Sequence, residues 1–65
     1  MRNHELTKRE RAAIDCLIAG MTMRETALRM GVTPHTLRGY VRNLREKLDA
    51  ATTAHAAVIV VRGKA

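Results

Sequence analysis

The chain contains no tryptophan and no phenylalanine, and Tyr40 is its only aromatic residue. Recognition of single-stranded nucleic acid normally stacks bases on several rings, so that mode is disfavoured, and one tyrosine among helices is expected to pack against a neighbour. A lone cysteine, Cys16, cannot close an internal disulfide. That suits a reducing cytoplasm, where such a thiol on an apolar face is expected to be a small core residue. With one proline in the chain there is no Pro- or Ser-rich linker to divide it, and there is no repeat or low-complexity stretch. The longest apolar run, Ala-Ala-Val-Ile-Val-Val at 56–61, is far too short to cross a bilayer, and no signal peptide is visible. The three histidines, His4, His35 and His55, stand apart with no cysteine or carboxylate cluster beside them. Neither a metal site nor another cofactor is expected, and no small-molecule ligand is evident.

Acidic residues are also scarce. Six Asp and Glu face twelve Lys and Arg, a net charge of +6, and the calculated isoelectric point is near 10.8. Such a balance favours a polyanionic partner and electrostatically steered association. At 65 residues the chain is expected to be a single domain over 1–65, with its core at about 6–62. A domain of this size buries too little surface to house a substrate cleft as well, which argues against an enzyme.

Four helices are expected, making the fold all-α. Thr7-Lys8-Arg9-Glu10 reads as a capping box opening a helix with Ala13, Ile14, Leu17 and Ile18 on one face, stopped by Gly20. Thr22-Met23-Arg24-Glu25 repeats the device for a second helix ending at Gly31, with Thr26, Ala27 and Met30 turned inward. Thr33 is a good N-cap and Pro34 fits the first helical turn, so the third helix is expected from about Pro34 to Leu48. Leu37, Val41, Leu44 and Leu48 form its apolar stripe. The fourth element runs from Thr52 or Thr53 to Arg62. Its β-branched run, Val58 to Val61, also suits a short strand, but a helix is favoured because nothing else in the chain offers a strand to pair with it.

The second and third helices with their tight turn read as a helix-turn-helix. Ala27 lets one helix cross close over the next, and Gly31 can take the positive φ that the turn requires. Arg38, Arg42 and Arg45 recur at i, i+4 and i+7, sharing a face taken to lie opposite the apolar stripe. Arginine pairs bidentately with guanine, so Arg38 and Arg42 are expected to contact bases, with Gly39 between them allowing close approach to the groove floor. Arg45 and Lys47, further along, are expected at phosphates, as are Thr22, Arg24, Thr33, His35 and Thr36 at or near helix N-termini.

The chain resembles the DNA-binding domain of the LuxR/GerE family of bacterial transcription regulators from Leu6 to about Val58. The matching residues are Leu6-Thr7, Arg9-Glu10, Leu17, Gly20, Thr22, Glu25, Ala27, Thr36-Leu37, Arg38, Val41 and Lys47-Leu48. The resemblance implies a four-helix domain whose second and third helices form the helix-turn-helix, with helix three in the major groove and helix four making dimer contacts. It also places the counterparts of Arg38, Gly39 and Arg42 against base edges. This chain departs from the family pattern at Thr26, usually aliphatic, at Tyr40, usually histidine, at Ala50, usually valine, and at Thr53, usually arginine. A glycine at the place of Gly31 is also seldom seen, and it brings the turn closer to the phage-repressor type. Family members commonly carry a receiver or autoinducer-binding domain; if these 65 residues are the whole protein, it has no built-in sensor.

The expected function is sequence-specific binding of double-stranded DNA by a small cytoplasmic transcription regulator, a dimeric repressor or autoregulator on a palindromic operator. Ala54, Ala57, Val58 and Val61 are the expected homodimer seam on helix four. The alternative is an interaction module that pairs with a larger regulator of the LuxR type and modulates its DNA binding.

Overall fold

Each of the four helices among the described residues begins on a threonine. In the computed structural model, which describes residues 5–63, Thr7 caps α1 (Lys8–Ile18): its hydroxyl accepts the Glu10 N–H at 3.1 Å, and Glu10 Oε1 accepts the Thr7 N–H at 3.0 Å. Thr22 and Glu25 repeat the reciprocal pair at 3.0 and 2.9 Å to open α2 (Met23–Met30). Thr33 accepts the Thr36 N–H at 3.1 Å to open α3 (Pro34–Leu48), and Thr52 accepts the His55 N–H at 3.0 Å to open α4 (Thr53–Val61). Each cap satisfies an N–H that the helix itself cannot pair. No strand occurs among the described residues, so the all-α expectation holds and Val58–Val61 belong to a helix. His4 lies outside the described residues.

The turn between α2 and α3 has the form its glycine implied. Gly31 is left-handed, with φ 72° and ψ 31°, and the Val32 N–H donates to the Ala27 carbonyl at 3.0 Å, closing the end of α2. Asp49, at φ 55°, ends α3 in the same region, where a short polar side chain is tolerated.

α3 is the hub of the packing. It lies against α1, α2 and α4; α1 also touches α2 and α4, while α2 and α4 do not meet. Leu37, Val41, Leu44 and Leu48 project from α3 into a core completed by Ala13, Ile14, Ala27, Ala50 and Ala56. Met23, Met30, Leu17, Tyr40 and Val60 pack around it half-buried, so the lone tyrosine is a packing residue.

Two details differ from the sequence reading. Ile18 is 38% exposed and Leu17 only half-buried, both bordering the open groove beside Ala57, Val58 and Val61 of α4. Cys16 is half-buried rather than a core residue. On α4 the fully buried residue is Ala56, a position the sequence did not single out, while Ala54, Val58 and Val61, expected on an uncovered strip, face outward. An α4 that is apolar nearly all round has no periodicity from which its inner face can be read.

Candidate nucleic-acid interface

The caps that start α2 and α3, with the left-handed Gly31 between them, set the angle at which α3 is presented. Arg38 and Arg42 are exposed, with half-buried Gly39 between them. A Cβ built on Gly39 meets nothing within 4 Å, so the protein's own packing does not demand glycine there. Thr22, Arg24, Thr33, His35 and Thr36 are exposed as well. The Thr22 and Thr33 hydroxyls serve as caps, and Thr33 Oγ1 also donates to Thr36 Oγ1 at 3.1 Å.

The arginines are not opposite the apolar stripe. At 3.6 residues per turn, Arg38, Arg42 and Arg45 lie about 70–130° round the helix from the middle of that stripe, on one flank. That flank borders the space left because α2 and α4 do not touch. A cleft of about 360 Å³ results, lined by Met23 of α2, Arg38, Val41, Arg42 and Arg45 of α3, and Thr53 of α4. Arg45 is half-buried, and its Nη2 donates to the Ala51 carbonyl at 2.7 Å, bracing the corner between α3 and α4. Its Nε is buried with no acceptor.

Lys47 stands apart from the arginines. Nine residues after Arg38, it sits about half a turn away round the helix, on the opposite flank. There its Nζ donates to Glu10 Oε1 of α1 at 2.8 Å. Its ammonium is engaged in holding two helices together rather than standing beside the arginines. Burial pushes the Glu10 carboxyl up, but the hydrogen bond from Lys47, the Thr7 N–H, the Lys47 charge and the Thr7 hydroxyl outweigh it and hold the group below its ordinary value.

Asn43 was missed by the sequence reading. It is exposed, one turn beyond Gly39, and the i+4 spacing from that glycine was the available signal. An asparagine amide in that position can donate to and accept from a base edge. Glu46 is exposed one turn further on, and its charge is unsuited to a polyanion. The exposed side chains able to donate to an anion or a base edge therefore lie on the N-terminal part of α3, from His35 to Asn43.

Two comparisons bear on this arrangement. Residues 4–60 match the family model described as bacterial regulatory proteins, luxR family. The transcriptional regulatory protein UhpA of Escherichia coli (strain K12) is 40% identical over 50 residues, which are 77% of this chain and 26% of that protein. The chain thus spans about a quarter of the length of the curated relative it matches.

Proposed function

The chain belongs to the luxR family of bacterial regulatory proteins, and from that premise we propose that it regulates transcription by inserting the N-terminal half of α3 into the major groove of a specific duplex site. The observation that carries this reading is the pair of exposed arginines, Arg38 and Arg42, with half-buried Gly39 between them, presented by a capped helix-turn-helix in a chain of net charge +6. Arg38 and Arg42 read base edges, and Gly39 lets the helix axis approach them. Thr22, Arg24, Thr33, His35 and Thr36 line the approach to the neighbouring phosphates, where exposed N-terminal turns suit anionic oxygens.

One recognition helix spans too few base pairs to select an operator from a genome, so two copies bind a palindrome. The seam is the outer face of α4. Val61 is 67% exposed and Val58 48%, and with Ala57 they line an open apolar groove beside Leu17 and Ile18 of α1. No helix among the described residues is long and apolar enough to cross a membrane. A cytoplasmic, repressing regulator fits these features.

The test is selection of duplexes from a random pool on the purified protein, followed by titration at several salt concentrations. Binding should weaken with a log–log slope of about 0.9 per phosphate contacted. Arg38→Ala and Arg42→Ala should each lose discrimination at one base pair, at a cost of about 1–3 kcal/mol. A pool that yields no enriched motif, or a slope no steeper than one contact, overturns the reading.

A further inference from the structure

We propose that Arg45 is a positioning residue: by fixing the corner between α3 and α4 it sets the angle between the DNA-reading helix and the dimer seam, and so determines which half-site spacing two copies accept. The proposal deepens the reading of a dimer closed through α4 and rests on it for the consequence at DNA, while the geometry of the corner stands by itself.

Apolar packing leaves the setting of α4 open. The helix is apolar nearly all round, and it meets the core through fully buried Ala56, with Ala57, Ile59 and Val60 half-buried beside it. Hydrophobic contact is non-directional, so small side chains of similar character allow a helix several rotations about its own axis at similar cost. α4 rests on α3 and α1 and does not meet α2, which leaves it without a wall on that side. Directional polar bonds are what select one arrangement among these.

Those bonds converge on Arg45. Its carbonyl accepts the Ala50 N–H at 2.8 Å, closing the turn that passes through left-handed Asp49. Nη2 of the same residue reaches across the turn and donates to the Ala51 carbonyl at 2.7 Å. A short bond from a charged donor is the stronger kind. Ala51 is also held from its other end: its N–H donates to His55 Nδ1 at 3.4 Å, while the Thr52 hydroxyl accepts the His55 N–H at 3.0 Å. The last turn of α3 and the first turn of α4 are thereby tied through one short segment, Ala50 to Thr52. The Arg45 Nε is buried, so protein encloses the inner end of the guanidinium, and the side chain is committed to the corner, unlike exposed Arg38 and Arg42.

The corner lies between the two working faces. α3 carries exposed Arg38 and Arg42 in its first half, and α4 carries exposed Val58 and Val61 towards its end. A change of angle at the corner therefore displaces the reading face relative to the seam, by an amount that grows with distance from it. Two copies related by a two-fold axis each add the same change, so it enters the separation of the recognition helices twice. Half-site spacing follows the distance between those helices, whereas base preference within a half-site follows the side chains on α3. Arg45 governs the first and leaves the second alone.

The test begins without DNA. Residual dipolar couplings of the isotope-labelled full chain report the orientation of α4 relative to α3. In Arg45→Met, which keeps the apolar stem and removes the donor, the couplings of α1, α2 and α3 should still fit the wild-type arrangement and those of α4 should not. Arg45→Lys, which retains a charged donor, should bring the α4 couplings back towards the wild type. A folded Arg45→Met whose α4 couplings fit the wild-type orientation overturns the proposal. Should Arg45→Met fail to fold, exposed His55→Ala removes the longer tie to the same segment and is read in the same way, an unchanged α4 again overturning the proposal. The second arm joins the half-site selected by the wild type to its inverted copy across a library of spacer lengths. The wild type should enrich one spacing. Arg45→Met should bind a single half-site with wild-type affinity, lose about tenfold at the wild-type spacing, the scale of one charge-assisted hydrogen bond, and enrich a different or broader set. Equal losses on the single half-site and on the pair would make Arg45 a DNA contact and overturn its positioning role. If the wild type enriches no spacing while α4 turns in Arg45→Met, the dimeric reading falls and takes the spacing claim with it, and the role of Arg45 in setting α4 stands.

Discussion

Lys47 Nζ donates to Glu10 Oε1 at 2.8 Å across 37 residues of sequence, and the same oxygen accepts the Thr7 N–H that closes the α1 capping box. One carboxylate therefore both starts α1 and ties it to the last turn of the recognition helix. Glu10 is nearly buried, at 4% exposure, so its charge depends on these partners.

A pH-dependent contribution to stability follows. The folded-state value of Glu10 lies below its ordinary 4.5, so its contribution is fully present above that value and is lost as the pH falls through the lower, folded one. Lys47→Met should destabilise the protein by roughly 1–3 kcal/mol at neutral pH, because it strands a buried carboxylate, and by much less in acid. Urea unfolding followed by circular dichroism at neutral and acid pH checks both, and an equal loss at the two pH values contradicts the account.

Gly39→Ala should separate stability from binding. Within the protein the new methyl meets nothing within 4 Å, and alanine is about 1 kcal/mol better than glycine inside a helix. The melting temperature should rise while affinity for the selected duplex falls, since the methyl stands where α3 meets the groove. Unchanged affinity would show that α3 does not approach the bases along this face.

Thr26 carries an unpaired hydroxyl in the core of the helix-turn-helix. Its side chain is fully buried and Oγ1 has no hydrogen-bond partner. Thr26→Val keeps the shape and removes the stranded group, and should stabilise by about 1–3 kcal/mol in thermal or urea unfolding. A loss of stability instead would mean that a water or a transient acceptor serves the hydroxyl.

The outer face of α4 is testable by charge. Val61→Asp places a carboxylate on a residue 67% exposed in the monomer, so the fold should survive while self-association and cooperative binding to a palindrome are lost. Sedimentation and band-shift titrations report the two. Wild-type stoichiometry and affinity in a folded variant would assign the strip no part in assembly.

The local devices of this chain were legible from sequence alone. A threonine followed three residues later by glutamate, a glycine at a helix end and a proline after a cap each act through neighbours within a few residues, so the first three helices and the turn could be placed, whereas α4 was favoured over a strand only because no other segment could pair with it. The stripe Leu37, Val41, Leu44 and Leu48 was likewise readable, because one helix repeats its inner face at a fixed period. Tertiary structure alone decided what the charged and evenly apolar segments do. Arg45 and Lys47 are two residues apart on the same helix, yet the first lines a cleft beside α4 and the second pairs with Glu10 on α1. Spacing assigns a side chain to a direction round its helix, and only the packing of the other helices determines what stands in that direction. The same holds for α4, whose sequence is apolar nearly all round and whose inner face is fully buried Ala56 with Ala57, Ile59 and Val60 packed half-buried against the core.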